Sequence, residues 1–136
     1  MNRSSIRVLV IDDDILKAVK IQRALEFNGV RNIEIARNQQ EAREDIFGRE
    51  TDGGRPDLIV TDMNYPLTPG GRPEKDAGIQ LIEWMEKEQI TIPVIICSSV
   101  KYHVPEILGC VWYSELSDVE AEFGKLLDIL VKKDGI

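Results

Sequence analysis

Four short runs of unbroken apolar residues limit what this chain can fold into: residues 8–11 (VLVI), 58–60 (LIV), 94–97 (VIIC) and 111–113 (VWY). A strand with one face in water alternates apolar and polar residues, so a run that is apolar at every position reads as a strand buried on both faces. Residues 33–37 (IEIAR) do alternate, which predicts an edge strand with one solvated face. Between the runs the apolar residues take helical spacing. Ala18, Ile21 and Leu25 share one face of a helix predicted to start near Asp14 and to stop at Asn28-Gly29, where glycine supplies a left-handed cap. Ala42 and Ile46 mark a second helix, and Gly78, Leu81, Ile82 and Met85 a third. Val119, Phe123, Leu126, Leu127 and Leu130 mark the last, with Ser117 and Glu120 spaced as a capping box. Strand alternating with helix predicts an α/β fold, a parallel sheet covered by helices on both sides. Two polar loops interrupt the pattern, at residues 51–56 and 67–75. A chain of 136 residues suits one compact domain over residues 1–136, and because its last helix runs almost to the C-terminus, no second output domain is expected within it.

Open parallel sheets bind ligands beyond the carboxyl ends of their strands, where the winding reverses. The first run ends in Asp12-Asp13-Asp14, the third strand in Asp62 and the fourth in Ser98-Ser99. With strand order 2-1-3-4-5, the first and third strands are neighbours about 4.8 Å apart, so Asp12 or Asp13 and Asp62 converge on one small pocket. Carboxylates crowded at a half-dry strand end repel one another. A hard divalent cation with oxygen ligands, Mg2+ keeping some of its waters, offsets that repulsion. The Ser98 hydroxyl then has an oxygen of a metal-held anionic group to bind. Aspartates at strand-to-helix junctions also cap helices, and that plainer role is expected of Asp14.

Charge narrows the partners. Lys and Arg number 17 against 24 Asp and Glu, a net charge of -7, which repels phosphate backbones and anionic lipid and argues against direct nucleic-acid or membrane-surface binding. The N-terminal residues fit neither a signal peptide nor a spanning helix, so a cytoplasmic protein is expected. Cys97 and Cys110 lie in apolar stretches and read as core residues, not a disulfide or metal cluster.

Residues 8–14 (VLVIDDD), 57–66 (DLIVTDMNYP), 76–82 (DAGIQLI) and 93–99 (PVIICSS), in that order and strand context, resemble a response-regulator receiver domain over nearly the whole chain. The resemblance implies a flavodoxin-like, doubly wound sheet in three layers. It makes Asp62 the phosphoacceptor and Asp12 and Asp13 the acidic pair. Mg2+ would be bound through Asp13, Asp62 and the backbone carbonyl of Asn64, with Asp12 beside them, and Ser98 would meet the phosphoryl group in the switched state. It also implies a sensor histidine kinase or phosphotransfer protein as donor and an unidentified downstream protein as reader, with no enzymatic turnover beyond self-phosphorylation and self-dephosphorylation.

The chain departs from that pattern in three places. Receivers carry a lysine, usually followed by proline, just after the fifth strand; Tyr113 and Ser114 stand there. The aromatic switch position aligns with Cys110, or with Trp112 or Tyr113 if the register slips. Only residues 100–108, with Pro105 among them, separate the fourth and fifth strands, enough for one or two helical turns. The loop over residues 67–75 is enlarged and brings Arg72 and Lys75 near the pocket in sequence, candidates for the missing cation against the plainer reading of a solvated loop. His103 reads as a surface residue, and Trp84 and Trp112 as packing residues. Two other functions fit less of the chain. One is a degenerate receiver acting as a constitutive interaction module. The other is a phosphohydrolase of the haloacid-dehalogenase type, whose Asp-x-Asp motif is present but whose Thr or Val is replaced by Leu16.

Overall fold

The computed structural model of the chain describes residues 2–48 and 54–134; positions 51–53 of the first polar loop fall outside the described residues. The elements run β1 (Arg7–Ile11), α1 (Ile15–Phe27), β2 (Asn32–Ala36), α2 (Gln39–Gly48), β3 (Leu58–Thr61), β4 (Tyr65–Pro66), β5 (Pro73–Glu74), α3 (Ala77–Lys87), β6 (Val94–Ser98), β7 (Gly109–Trp112) and α4 (Val119–Asp134). Five of the strands form one sheet in the order β2-β1-β3-β6-β7, all neighbours parallel. This is the order 2-1-3-4-5 once the short β4-β5 pair is set aside, and it is the flavodoxin-like winding expected from the sequence.

The two-residue period of the strands divides their side chains between two cores. Val8 and Val10 of β1, Leu58 and Val60 of β3, and Ile95 and Cys97 of β6 face one way, onto Ile21 and Leu25 of α1 and Phe123 and Leu127 of α4. Leu9 and Ile11, Ile59 and Val94 face the other way, onto Ala42 and Ile46 of α2 and Leu81 and Met85 of α3. Both faces being dry is why these runs carry no alternation. β2 does alternate, and of its residues only Ala36 is fully buried.

Three sequence expectations are corrected. First, β7 is the second edge of the sheet, and only Val111 is fully buried. Residues 100–108 form no helix at all, so the face of β7 bearing Cys110 and Trp112 lacks the helix that a longer crossover would lay on it. Trp112 is shielded instead by its own loop: its indole N–H donates to the Ser99 carbonyl at 3.0 Å, and the Lys101 ammonium lies 4.2 Å from the ring centre. Second, α4 is capped by Asp118, whose carboxylate accepts the Ala121 N–H at 3.0 Å. Ser117 turns the other way and donates to the Trp112 carbonyl at 2.6 Å, so no Ser117–Glu120 capping box forms. Third, the loop over residues 67–75 is closed at its base as a hairpin, with Tyr65 opposite Glu74 and Pro66 opposite Pro73. Tyr65 anchors it, fully buried beneath the sheet. Elsewhere the plain readings hold for Asp14, which caps α1 by accepting the Lys17 N–H at 3.2 Å, for the exposed His103 and for Cys97, which is buried in the core; Cys110, also expected in the core, is only half-buried on the edge strand β7.

Candidate functional site

The pocket is built by strand ends. β1 stops at Ile11 and delivers Asp12 and Asp13; its neighbour β3 stops at Thr61 and delivers Asp62. One backbone bond beyond the regular ladder holds these two tips together, the Asp62 N–H donating to the Ile11 carbonyl at 2.9 Å, and a second ties the β1 tip to β2, the Asp12 N–H donating to the Ala36 carbonyl at 3.0 Å. One carboxylate oxygen from each of Asp12, Asp13 and Asp62 therefore falls within 4.8 Å of the others. Asp12 is buried, while Asp13 and Asp62 are half-buried. The convergence read from the sequence is present.

Asp12 Oδ1 accepts the Asp14 N–H at 2.9 Å, and Asp62 Oδ1 accepts the Met63 N–H at 2.8 Å. Burial pushes Asp12 up to about 6, opposed by the Lys17 ammonium beside it. Its buried Oδ2 has that ammonium close by but makes no aligned hydrogen bond. Ser98, at the end of β6 and almost fully buried, accepts the Val100 N–H on Oγ at 3.2 Å, which leaves its own proton to donate. Asn64 is exposed. Its side chain accepts the Asp76 N–H at 3.0 Å and so ties the end of β3 to the start of α3.

The cation in the pocket was missed by the sequence reading. Arg72 and Lys75 are exposed on the hairpin, whereas the side chain of Lys17, on α1, reaches into the cluster. Its Nζ lies 3.0 Å from Asp12 Oδ2 and 3.1 Å from Asp62 Oδ1, and it donates to the Cys97 carbonyl at 2.9 Å. Burial lowers the lysine's basicity, but Asp12 and Asp62 together outweigh it and hold the group above the usual lysine value. Two signals were available. Lys17 lies on the same helical face as Ala18, Ile21 and Leu25, where a charge needs a partner, and it occupies the first turn, where the helix dipole disfavours a cation.

The donor set suits a hard divalent ion. Its ligands are oxygens only, a buried carboxylate oxygen lacks a hydrogen bond, and three carboxylates against one ammonium leave two negative charges to be met.

A family model, the response regulator receiver domain, matches residues 8–108. The chain belongs to the receiver family of two-component signalling. The receiver domain of Francisella response regulator 1452 resembles this receiver at 26% identity and a TM-score of 0.67, the match covering 96% of this chain and 99% of that one. The N-terminal domain of a response regulator/sensory box/GGDEF three-domain protein from Carboxydothermus hydrogenoformans matches at 23% identity and a TM-score of 0.69, covering 95% and 96%, a likeness of fold. Among curated proteins, the osmosensing histidine protein kinase SLN1 of Saccharomyces cerevisiae is 30% identical over 69 residues, 51% of this receiver and 6% of the yeast protein. This chain therefore corresponds to a small part of that relative. No helix among the described residues is long and apolar enough to cross a membrane.

Proposed function

We propose that this receiver accepts a phosphoryl group on Asp62, with Mg2+ in the acidic pocket, and thereby switches a protein–protein interaction as a stand-alone, cytoplasmic signalling domain. The observation that carries the reading is the meeting of Asp12, Asp13 and Asp62 at two adjacent strand tips. Their geometry suits an acceptor flanked by a metal site.

Asp62 would take the phosphoryl group from a phosphohistidine on a sensor histidine kinase or phosphotransfer protein. A bond forms between a carboxylate oxygen and phosphorus as the P–N bond breaks, its electron pair remaining on the imidazole nitrogen. With acetyl phosphate a P–O bond breaks and acetate leaves. Mg2+ held by Asp12, Asp13, Asp62 and the Asn64 backbone carbonyl would supply positive charge against the transferring group. The Ser98 hydroxyl would donate to a phosphoryl oxygen. Because Ser98 Oγ also holds the Val100 N–H, its movement would be felt first in residues 100–108, the non-helical segment that carries the exposed Val100. That segment is the natural surface for a downstream protein to read, through a two-state equilibrium that the phosphate biases.

The absence of a helix over residues 100–108 favours a second reading, a phosphorylation-independent interaction module. One experiment separates the two: intact-mass measurement of wild type and Asp62→Asn after incubation with acetyl phosphate and Mg2+. A single phosphoryl adduct on wild type, absent from the variant, supports the switch. No adduct on either supports the constitutive module.

A further inference from the structure

The lysine in the pocket arrives from an unexpected direction. A first-turn lysine faces the positive end of its helix dipole, and burying an ammonium is costly unless it is closely paired. Lys17 is 8% exposed and is held by three oxygens belonging to Asp12, Asp62 and Cys97. Its helix makes the reach possible, because α1 starts at the carboxyl end of β1 and helical side chains lean toward the N-terminus.

We propose that Lys17, reaching from the first turn of α1, is the cation that binds the phosphoryl group on Asp62, doing the work that a lysine after the last strand would do. The inference rests on the reading of Asp62 as phosphoacceptor. Both the Lys17 ion pair and the Met63 N–H fall on Asp62 Oδ1. Among the described residues no hydrogen bond or ion pair reaches Oδ2, which makes Oδ2 the oxygen that attacks. The ammonium then stands beside the new acyl phosphate, able to donate to a phosphoryl oxygen without transferring a proton. It also offsets the one negative charge gained when a carboxylate becomes an acyl phosphate.

Tyr113 follows β7 at the position where receivers carry lysine, and its ring centre lies 5.5 Å from Lys17 Nζ. The ring supports the ammonium through its π face, so position 113 lies within side-chain reach of the pocket cation. The cation thus comes from the start of a helix, with an aromatic residue at the end of the strand.

The geometry therefore allows a transplant. Lys17→Gln keeps a donor for the Cys97 carbonyl but removes the charge; Lys17→Gln with Tyr113→Lys returns the charge from the strand. Each is incubated with acetyl phosphate and Mg2+ and followed by intact mass, with Mg2+ affinity measured by calorimetric titration and folding by far-ultraviolet circular dichroism. The expected result is labelling of Lys17→Gln slowed about ten- to a hundredfold, the loss of one charged hydrogen bond. Its Mg2+ affinity should be equal to or above that of wild type, since a competing cation has gone. In the double variant labelling should recover to within a few-fold of wild type. Damage to the fold would lower labelling and Mg2+ binding together, and the transplant would not restore them. A labelled wild type beside an equally labelled Lys17→Gln overturns this proposal alone. So does a folded, Mg2+-binding double variant that stays as slow as the single one. If Lys17→Gln does not fold, the double variant decides by the same criterion, and its failure to fold also overturns the proposal, since a charge delivered from 113 would then be no substitute. A wild type that takes no label contradicts the reading of Asp62 and this inference with it.

Discussion

Gly78 lies in the first turn of α3 against the end of β3, where a Cβ would come 2.7 Å from the Asp62 carbonyl oxygen and 3.3 Å from Met63 Cα. Its N–H donates to the Met63 carbonyl at 2.9 Å, so helix and strand tip are pulled together with no space for a methyl group. Alanine ordinarily strengthens a helix by up to about 1 kcal/mol relative to glycine; here the overpacking term of about 1–3 kcal/mol exceeds it. Gly78→Ala is expected to lower stability by about 1–2 kcal/mol in urea unfolding, and an unchanged midpoint would contradict the contact. Cys97 makes a second prediction at this scale. Burial pushes its thiol up to about 12, against the opposing Lys17 ammonium. The folded chain therefore keeps a proton that the unfolded thiol loses above about 9, and this group's contribution to stability is intact below pH 9 and declines as pH rises toward 12. At pH 8, iodoacetamide should modify the half-buried Cys110 in the native chain and reach Cys97 only as fast as the protein unfolds, as peptide mapping would show. Lys17 marks the limit of single-residue reading. It was legible only as two broken rules, a cation on an apolar stripe and a cation in a first turn, and neither rule says which carboxylates it meets.

At the scale of elements, helix ends followed local chemistry closely. α1 closes with the Gly29 N–H on the Glu26 carbonyl and the Val30 N–H on the Leu25 carbonyl, with Gly29 at φ +92°, the paired C-terminal motif that glycine favours. α3 closes with the same two bonds, Gln89 to Glu86 and Ile90 to Met85, but places Gln89 at φ +58°, where a side chain is strained. Gln89→Gly is therefore expected to stabilise the fold by up to about 1 kcal/mol, read from the urea midpoint, with phosphorylation unchanged because position 89 lies away from the pocket. A loss of stability would contradict the reading of α3's end. The strands were legible because continuous apolarity has one cause, two dry faces. It misled at residues 111–113, where Val111 alone is buried: Trp112 and Tyr113 are apolar enough to mimic a central strand, but their rings cover a loop and an ammonium. The Ser117–Glu120 spacing fitted a capping box and lost to Asp118, one residue nearer the helix. The hairpin β4-β5 has only two residues per strand, too short for any periodicity to register, and it is held by Tyr65 burying itself rather than by pattern.

For the molecule as a whole, alternation of strand and helix was enough to give the three layers, and the right-handed crossover rule then leaves few orders for the strands. Strand order matters because it sets which tips adjoin, and β1 beside β3 is what turns acidic residues fifty positions apart in the chain into one pocket. A net charge of -7 and a local excess of two negative charges after Lys17 is counted suit that pocket to a divalent cation, and under the proposed switch the edge beside the missing helix between β6 and β7 is where a change in the pocket would surface. The central claim is that Asp62, among all the carboxylates of the chain, carries the phosphoryl group. It is tested most directly by treating the protein with acetyl phosphate and Mg2+, reducing the acyl phosphate with borohydride, and mapping the peptides by mass spectrometry. The account predicts that homoserine replaces aspartate at position 62 alone, and only when Mg2+ is present; conversion at another carboxylate, or none anywhere, would contradict it.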